Sequence, residues 1–210
     1  MTALTRISGV RGVWLFALLL SSATVQASLI TNGSFEDFGG QNLNRNGWGF
    51  FQSIPGWVGG DHLEVQASGL FVPAQDGDFY AELQAHPDQT APFQLFSDGF
   101  LTELGTRYEL SFFARKRSSN DGAFQVSIAG VEQTISNHLR GEWTEYTLGF
   151  DGTGGEARVA FLSLQSGTDK VGHFLDNVSV VVAVPEPETV ALVAVGIAGL
   201  MLRRRRLVRA

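Results

Sequence analysis

The chain has 210 residues, no cysteine and a formal net charge of −6 at pH 7. Disulfides, thiolate metal sites and cysteine nucleophiles are therefore excluded. Seven of the 15 basic residues lie in the two tails, so residues 28–183 hold 8 basic against 19 acidic side chains. A domain with this excess of acid repels phosphate backbones, and nucleic acid is not expected as a partner.

The N-terminus has the pattern of an export signal. Arg6 and Arg11 precede an apolar block at residues 13–20, and Ala27 ends a small-residue cleavage site. The block is too short for a membrane-spanning helix and ends in a polar stretch. We therefore assign residues 1–27 as a signal peptide and expect signal peptidase to cut after Ala27.

Residues 28–183 form one domain whose texture is typical of an all-β protein. Short runs of alternating apolar and polar residues are separated by Gly, Asp, Asn and Pro. Strands are predicted at 29–36 (interrupted), 63–66, 79–83, 93–96, 108–114, 124–129, 132–135, 143–150, 157–164 and 174–181. Residues 38–60 are predicted to form a loop. Turns every ~8–12 residues favour a two-sheet sandwich, a jelly roll.

Aromatic residues are concentrated in the predicted loop. Trp48, Phe50 and Phe51 follow a Gly/Asn-rich stretch, and Trp57 comes shortly after them. Aromatic rings held on flexible small residues can face solvent and bind apolar ligand surfaces. We predict that these four residues bind a ligand, with Trp48 as the platform. A buried cluster is the competing interpretation, and it is the stronger one for Trp57.

Other candidate chemistry is sparse. The basic turn at residues 115–117 offers charge-assisted hydrogen bonds to acidic groups, although a solvated loop is the alternative. The four histidines lack metal-ligand spacing, no G-x-S-x-G motif is present, and no pair of carboxylates is singled out by spacing. A non-catalytic protein is expected.

The C-terminal end combines three features. Pro185, Glu186 and Pro187 form a stiff break, residues 189–202 are uncharged and mostly apolar, and four arginines at 203–206 follow. A helix of 14 residues covers about 21 Å, which is shorter than the ~30 Å hydrocarbon core. The composition predicts a short membrane helix with a cationic stop.

This terminal segment, residues 184–210, resembles the PEP-CTERM sorting signal of Gram-negative bacteria in composition, order and position. The resemblance implies recognition by an exosortase and cleavage near Pro185, Glu186 and Pro187. The membrane contact would then be transient, and the exported protein would reach the cell envelope, cell surface or extracellular matrix. A plain C-terminal anchor is the alternative.

Six segments of residues 28–183 resemble the galactose-binding-like β-sandwich of DUF642-type and CBM4/9-type carbohydrate-binding modules. They are 29–36, 54–57, 76–77, 108–112, 143–146 and 175–180. The resemblance implies a jelly roll whose first and last strands pair, and a glycan or exopolysaccharide as ligand. A structural surface protein that associates through its sandwich is the alternative.

The same resemblance implies a structural calcium ion between the first and last strands. The matching positions here are Glu36 and Asp176. Carboxylates and backbone carbonyls are suitable calcium ligands. The alternative is that Asp176 caps a turn and Glu36 is solvated.

Overall fold

The computed structural model describes residues 26–83, 93–118, 122–164, 172–184 and 196–197. Most of the predicted signal peptide, the Pro-Glu-Pro motif and the four terminal arginines lie outside these residues. No helix within the described ranges is long and apolar enough to cross a membrane.

Twelve strands make up the fold of the described residues. They are β1 (Trp48–Ile54), β2 (Trp57–Ala67), β3 (Phe79–Leu83), β4 (Gln94–Ser97), β5 (Phe100–Leu101), β6 (Arg107–Lys116), β7 (Phe124–Ile128), β8 (Val131–Ile135), β9 (Thr144–Asp151), β10 (Glu156–Ala157), β11 (Ala160–Ser163) and β12 (His173–Val182). Ten of them form one ladder in the order β8-β7-β11-β4-β2-β3-β12-β6-β9, with β1 along β2; β5 and β10 form a separate pair.

β2, the longest strand, takes part in both halves of the ladder. The first residues of β2 pair with β4 and its last residues pair with β3. We call β3, β12, β6, β9 and the adjoining part of β2 the front sheet, and β4, β11, β7 and β8 the back sheet. Phe112 of β6 meets Phe161 of β11 with ring centroids 5.1 Å apart and Phe124 of β7 at 6.2 Å. The two sheets thus enclose one aromatic-rich core, which confirms the predicted jelly-roll β-sandwich.

The predicted loop at residues 38–60 is partly wrong, because it contains β1 and the start of β2. Phe51 and Ile54 of β1 are buried in the core, whereas Trp48 and Phe50 alternate with the core positions. Burial of one face is what makes this segment a strand. The neighbouring glycines and asparagines obscured the alternation.

The first segment of the domain follows the last strand without forming a strand itself. The Leu29 amide donates to the Val180 carbonyl at 2.8 Å, and the Val178 amide donates to the Gly33 carbonyl at 2.9 Å. Between these contacts Asn32 and Phe35 have φ angles of 54° and 58°, which interrupt any extended run. The expected association of the two ends of the domain is therefore present in an irregular form.

Candidate functional site

One face of the front sheet carries an unusual row of polar and aromatic side chains. Residues directly opposite in antiparallel strands share a face. The observed pairs are Trp48 with Gln66, Phe50 with Glu64, Gln66 with Tyr80, Glu64 with Glu82, Glu82 with Phe174, and Phe174 with Arg115. The intervening residues Leu63, Val65, Ala81 and Leu175 are fully buried in the core. This row therefore lies on the outer side of the sheet, away from the core.

The loop at residues 68–78, between β2 and β3, folds over this outer face. Val72 packs with Tyr80 and Phe174 in a small cluster separate from the main core. The Trp143 indole N–H donates to the Pro73 carbonyl at 2.9 Å. Phe71 stacks on Phe174 with centroids 6.4 Å apart, yet it remains 51% exposed. The loop thus presents one large aromatic ring to solvent above the sheet.

Asp176 and Glu36, the predicted calcium ligands, both hold this loop by its backbone. The buried Asp176 carboxylate accepts hydrogen bonds from the amides of Gln75 at 2.8 Å, Asp76 at 3.1 Å and Asn177 at 2.7 Å. Burial raises the pKa of Asp176 to about 7, against the opposing effect of these donors. Glu36 Oε1 accepts from the amides of Asp78 and Phe79 at 2.8 and 3.0 Å.

These carboxylates therefore cap backbone amides in the structure. Glu36 is exposed, as the alternative interpretation assumed, although its Oε1 also accepts two backbone hydrogen bonds, and Asp176 caps a turn. No group of three acidic or histidine side chains suited to a metal occurs among the described residues. Calcium at Glu36 and Asp176 stays a prediction, and no function below depends on it.

Part of this outer face is a buried polar network of Glu64, Gln66 and Glu82. Glu82, fully buried, accepts hydrogen bonds from Arg117 Nη1 at 2.9 Å to each of its oxygens, from the Gly172 amide at 2.9 Å, and from Gln66 Nε2. Gln66 also donates to Glu64 at 3.1 Å. Burial raises the pKa of Glu82 to about 8 and that of Glu64 to about 7, while Arg117 lowers both.

This network fixes Arg117 at the surface. Its guanidinium carbon lies 4.1 Å from the centre of the Phe71 ring, a cation–π contact. The side chain thus has a buried carboxylate at one side and an exposed aromatic ring at the other. Few of its rotamers satisfy both contacts, so the guanidinium is preorganised.

An open cavity of about 310 Å³ adjoins Arg117. Its lining combines aromatic and aliphatic residues with basic and hydroxyl residues: Phe71, Val72, Phe174, Arg115, Lys116, Arg117, Ser118 and Arg140. Pockets that combine apolar surface with a few fixed polar groups are typical ligand sites. This cavity is the candidate site of the protein.

The four predicted aromatic ligand residues have different positions. Trp48 and Phe50 are half-buried on the outer face of the sheet, with ring centroids 5.1 Å apart, so they share that face with the cavity. The prediction of ligand binding is wrong for Phe51 and Trp57, because both side chains are buried in the core. The Trp57 indole N–H donates to the Asn32 carbonyl at 2.9 Å. Neither buried ring can stack on a ligand.

Sequence reasoning missed Phe71, Phe174 and Glu82 as members of the site. The available signal was Phe71 itself, a large aromatic residue in a stretch rich in Gly, Pro and Asp. The sequence did indicate the basic turn at residues 115–117, which forms part of the cavity lining.

A pair of buried histidines lies elsewhere, inside the sandwich. His138 Nε2 and His173 Nδ1 are 2.8 Å apart, and both rings pack against Phe124. Burial lowers the pKa of His138 to about 4 and that of His173 to about 3, so both are neutral at pH 7. The described part of the chain places no third metal ligand beside them.

A sequence relative covers most of this chain but little of its own length. The chain is 27% identical over 171 residues, 79% of its length, to halomucin of Haloquadratum walsbyi. The chain spans 2% of the length of that protein.

Solved structures with a similar fold include two sugar-binding proteins. One is TmCBM61, solved in complex with β-1,4-galactotriose. The match covers 75% of this chain and 99% of the TmCBM61 chain, with 16% sequence identity and a TM-score of 0.45. The N-terminal cellulose-binding domain of β-1,4-glucanase C from Cellulomonas fimi matches 76% of this chain and 100% of its own at 18% identity and a TM-score of 0.42. At these identities and TM-scores they assign no residue of this chain.

The C-terminal segment has a specific match. Residues 183–206 fit the PEP-CTERM protein-sorting motif, within two residues of the predicted start and short of the predicted end at residue 210. A signal of this kind marks an exported, cell-surface protein. The chain therefore carries a β-sandwich followed by a PEP-CTERM sorting motif.

Proposed function

We propose that this protein is an exported, non-catalytic carbohydrate-binding protein whose ligand binds at the cavity beside Phe71. The observation that carries the proposal is the exposed Phe71 ring, stacked on Phe174 and in contact with Arg117, at the rim of a cavity of about 310 Å³. Trp48 and Phe50 lie on the same sheet face and would extend the surface.

The chemistry of this site suits a sugar. A pyranose ring has apolar C–H faces and a rim of hydroxyl groups, so it needs an aromatic surface with hydrogen-bond donors beside it. Phe71 supplies the surface, and Arg117 and Ser118 supply donors at its edge. Because Arg117 is already held by Glu82, binding costs little additional side-chain entropy.

The sorting motif supports a location for this activity. Signal peptidase and an exosortase would process the two ends, with transient membrane contact through residues 189–202. The mature domain would then act at the envelope or in the matrix of a Gram-negative bacterium. An exopolysaccharide made by the same cell is the ligand we expect there.

The proposal is tested by retention on immobilised polysaccharides. Phe71→Ala should leave the melting temperature nearly unchanged, because the ring is half exposed, and should abolish retention. Leu164→Ala is the matched control, since Leu164 is also 51% exposed and does not line the cavity. Unchanged retention of a folded Phe71→Ala protein would contradict the proposed site.

Association between copies is the second candidate function. Leu101 and Leu104 are 78% and 80% exposed and lie three residues apart at the end of β5. Adjacent exposed leucines favour self-association or partner binding. Sedimentation of the protein and of a Leu101→Ser/Leu104→Ser variant tests this function. A defined oligomer that dissociates in the variant supports it, and a monomer in both proteins contradicts self-association.

A further inference from the structure

The basic residues of the domain are distributed unevenly. Residues 28–183 contain 8 basic side chains, and four of them line the cavity: Arg115, Lys116, Arg117 and Arg140. The described lining of this cavity contains no acidic side chain. A domain with 19 acidic side chains thus concentrates positive charge around its candidate site.

Most of this positive charge has no ion-pair partner among the residues that the structure describes. Arg117 is paired with Glu82 at 2.9 Å. Among the residues that the structure describes, Arg115, Lys116 and Arg140 form no ion pair with a carboxylate. The Arg115 Nε atom donates to the Arg140 carbonyl at 2.9 Å, which holds these two residues together. Lys116 lies opposite His173 and therefore on the core-facing side of β6, whereas Arg115 lies opposite Phe174 on the outer face. Within the described ranges, the cavity thus presents two arginines without a carboxylate partner, Arg115 and Arg140, next to an aromatic ring.

We propose, on the basis of the proposed carbohydrate function, that the ligand is an acidic polysaccharide whose sugar carboxylates bind Arg115 and Arg140. A planar carboxylate matches the two-pronged hydrogen bonding of a guanidinium group. Phe71 would contact the apolar face of the same or the next sugar ring. The net acidity of the domain opposes polyanions, and most strongly duplex nucleic acid, which carries one negative charge per ~1.7 Å of its axis.

This inference differs from what the acidic composition alone suggests. Overall acidity favours a neutral ligand, but a bound carboxylate interacts most strongly with the charges within about one Debye length, roughly 8–10 Å. The local cations therefore decide the specificity of the cavity. The more distant acidic residues lower the association rate for any anionic polymer.

The test compares acidic polymers with neutral versions of themselves. The full chain, expressed in an exporting host, is assayed for retention on polygalacturonate, alginate and hyaluronate and on the carboxyl-reduced form of each. At least one polyuronate should bind about tenfold more tightly than its reduced form, the value of one charge-assisted hydrogen bond. A sulfated galactan is included to distinguish carboxylate from sulfate recognition; tighter binding to the sulfated polymer overturns the carboxylate assignment.

Variants distinguish a loss of binding caused by lost positive charge from one caused by unfolding. Arg115→Gln/Arg140→Gln should weaken polyuronate binding at least about tenfold and leave the melting temperature and any neutral-polymer binding unchanged. Arg158→Gln is the control, because Arg158 is exposed and lies 3.7 Å from Glu156. Equal binding of acidic and reduced polymers overturns this inference while the carbohydrate function stands. Absence of binding to every polymer overturns both.

Discussion

Arg117→Met removes a cation that is hydrogen-bonded to the buried Glu82 beside the candidate site. Arg117 is 24% exposed and Glu82 is fully buried, with 2.9 Å between Nη1 and each carboxylate oxygen. A hydrogen bond to a charged group contributes about 1.5–3 kcal/mol, and the contact with Phe71 adds about 0.5–1 kcal/mol. We expect Arg117→Met to lower the free energy of unfolding by about 2–4 kcal/mol at pH 7.

The loss of unfolding free energy in Arg117→Met should also depend on pH, and it should increase as pH rises. Burial raises the pKa of Glu82 in the folded state to about 8, and Arg117 opposes that rise. A carboxyl whose pKa is raised on folding costs stability progressively as pH rises from the unfolded value toward the folded one. In the parent protein this loss ends near pH 8, the folded pKa of Glu82. In the variant the pKa is higher, so the loss continues above that pH.

Urea unfolding from about pH 6 to about pH 9.5 measures both effects. The difference between parent and Arg117→Met should widen above pH 8, the folded pKa of Glu82. Arg158→Met is the control and should stay within about ±0.5 kcal/mol at every pH, because its partner is solvent-exposed. Equal stability of the two variants, or a stability difference between parent and Arg117→Met that narrows as pH rises, would contradict a stabilising Arg117–Glu82 pair.

Four further predictions concern the core, the loop, the histidines and the termini. Trp57→Ala should cost about 3–5 kcal/mol in urea unfolding, because the indole is fully buried; a loss below about 1 kcal/mol would contradict its core assignment. If Asp176 also binds calcium, a hundredfold excess over Kd adds about 2.7 kcal/mol, and melting curves in calcium and in chelator should separate; identical curves would leave only its capping role. The folded pKa of His138, lowered to about 4, predicts stability lost as pH falls from about 6.5 toward 4, and His138→Gln should lose less over that range; equal losses would remove this explanation. Intact mass of the protein from its host should show residues through Ala27 and the arginines at 203–206 removed; retained arginines would indicate a plain anchor.

The sheets follow from local sequence, because alternation of apolar and polar residues is a short-range signal. The segment Tyr108–Ala114 lies within β6, and Phe124–Ile128 is β7 itself. β1 escaped prediction because Gly49 and the adjacent Phe50 and Phe51 break the alternation that its burial pattern shows. Local sequence thus predicted the sandwich better than the boundaries of its first strands.

The candidate site could be predicted only in part, because its members are distant in sequence. Phe71 and Arg117 meet through the pairing of β3, β12 and β6 and the path of the 68–78 loop. The resemblance did direct attention to Glu36 and Asp176, which both hold that loop. It could not reveal that their contacts in this structure are backbone amides, since these depend on the folded path of residues 75–79.

Amide NMR during titration with an acidic oligosaccharide shows whether the sugar binds at the cavity beside Phe71. The largest shifts should fall on Phe71, Val72, Arg117 and Ser118, with smaller shifts at Trp48 and Phe50 on the same face. Shifts confined to Gln52, Ser53, Val58, Gly59 and Gly60, which line a different cavity of about 400 Å³ at the β1–β2 bulge, would contradict the account.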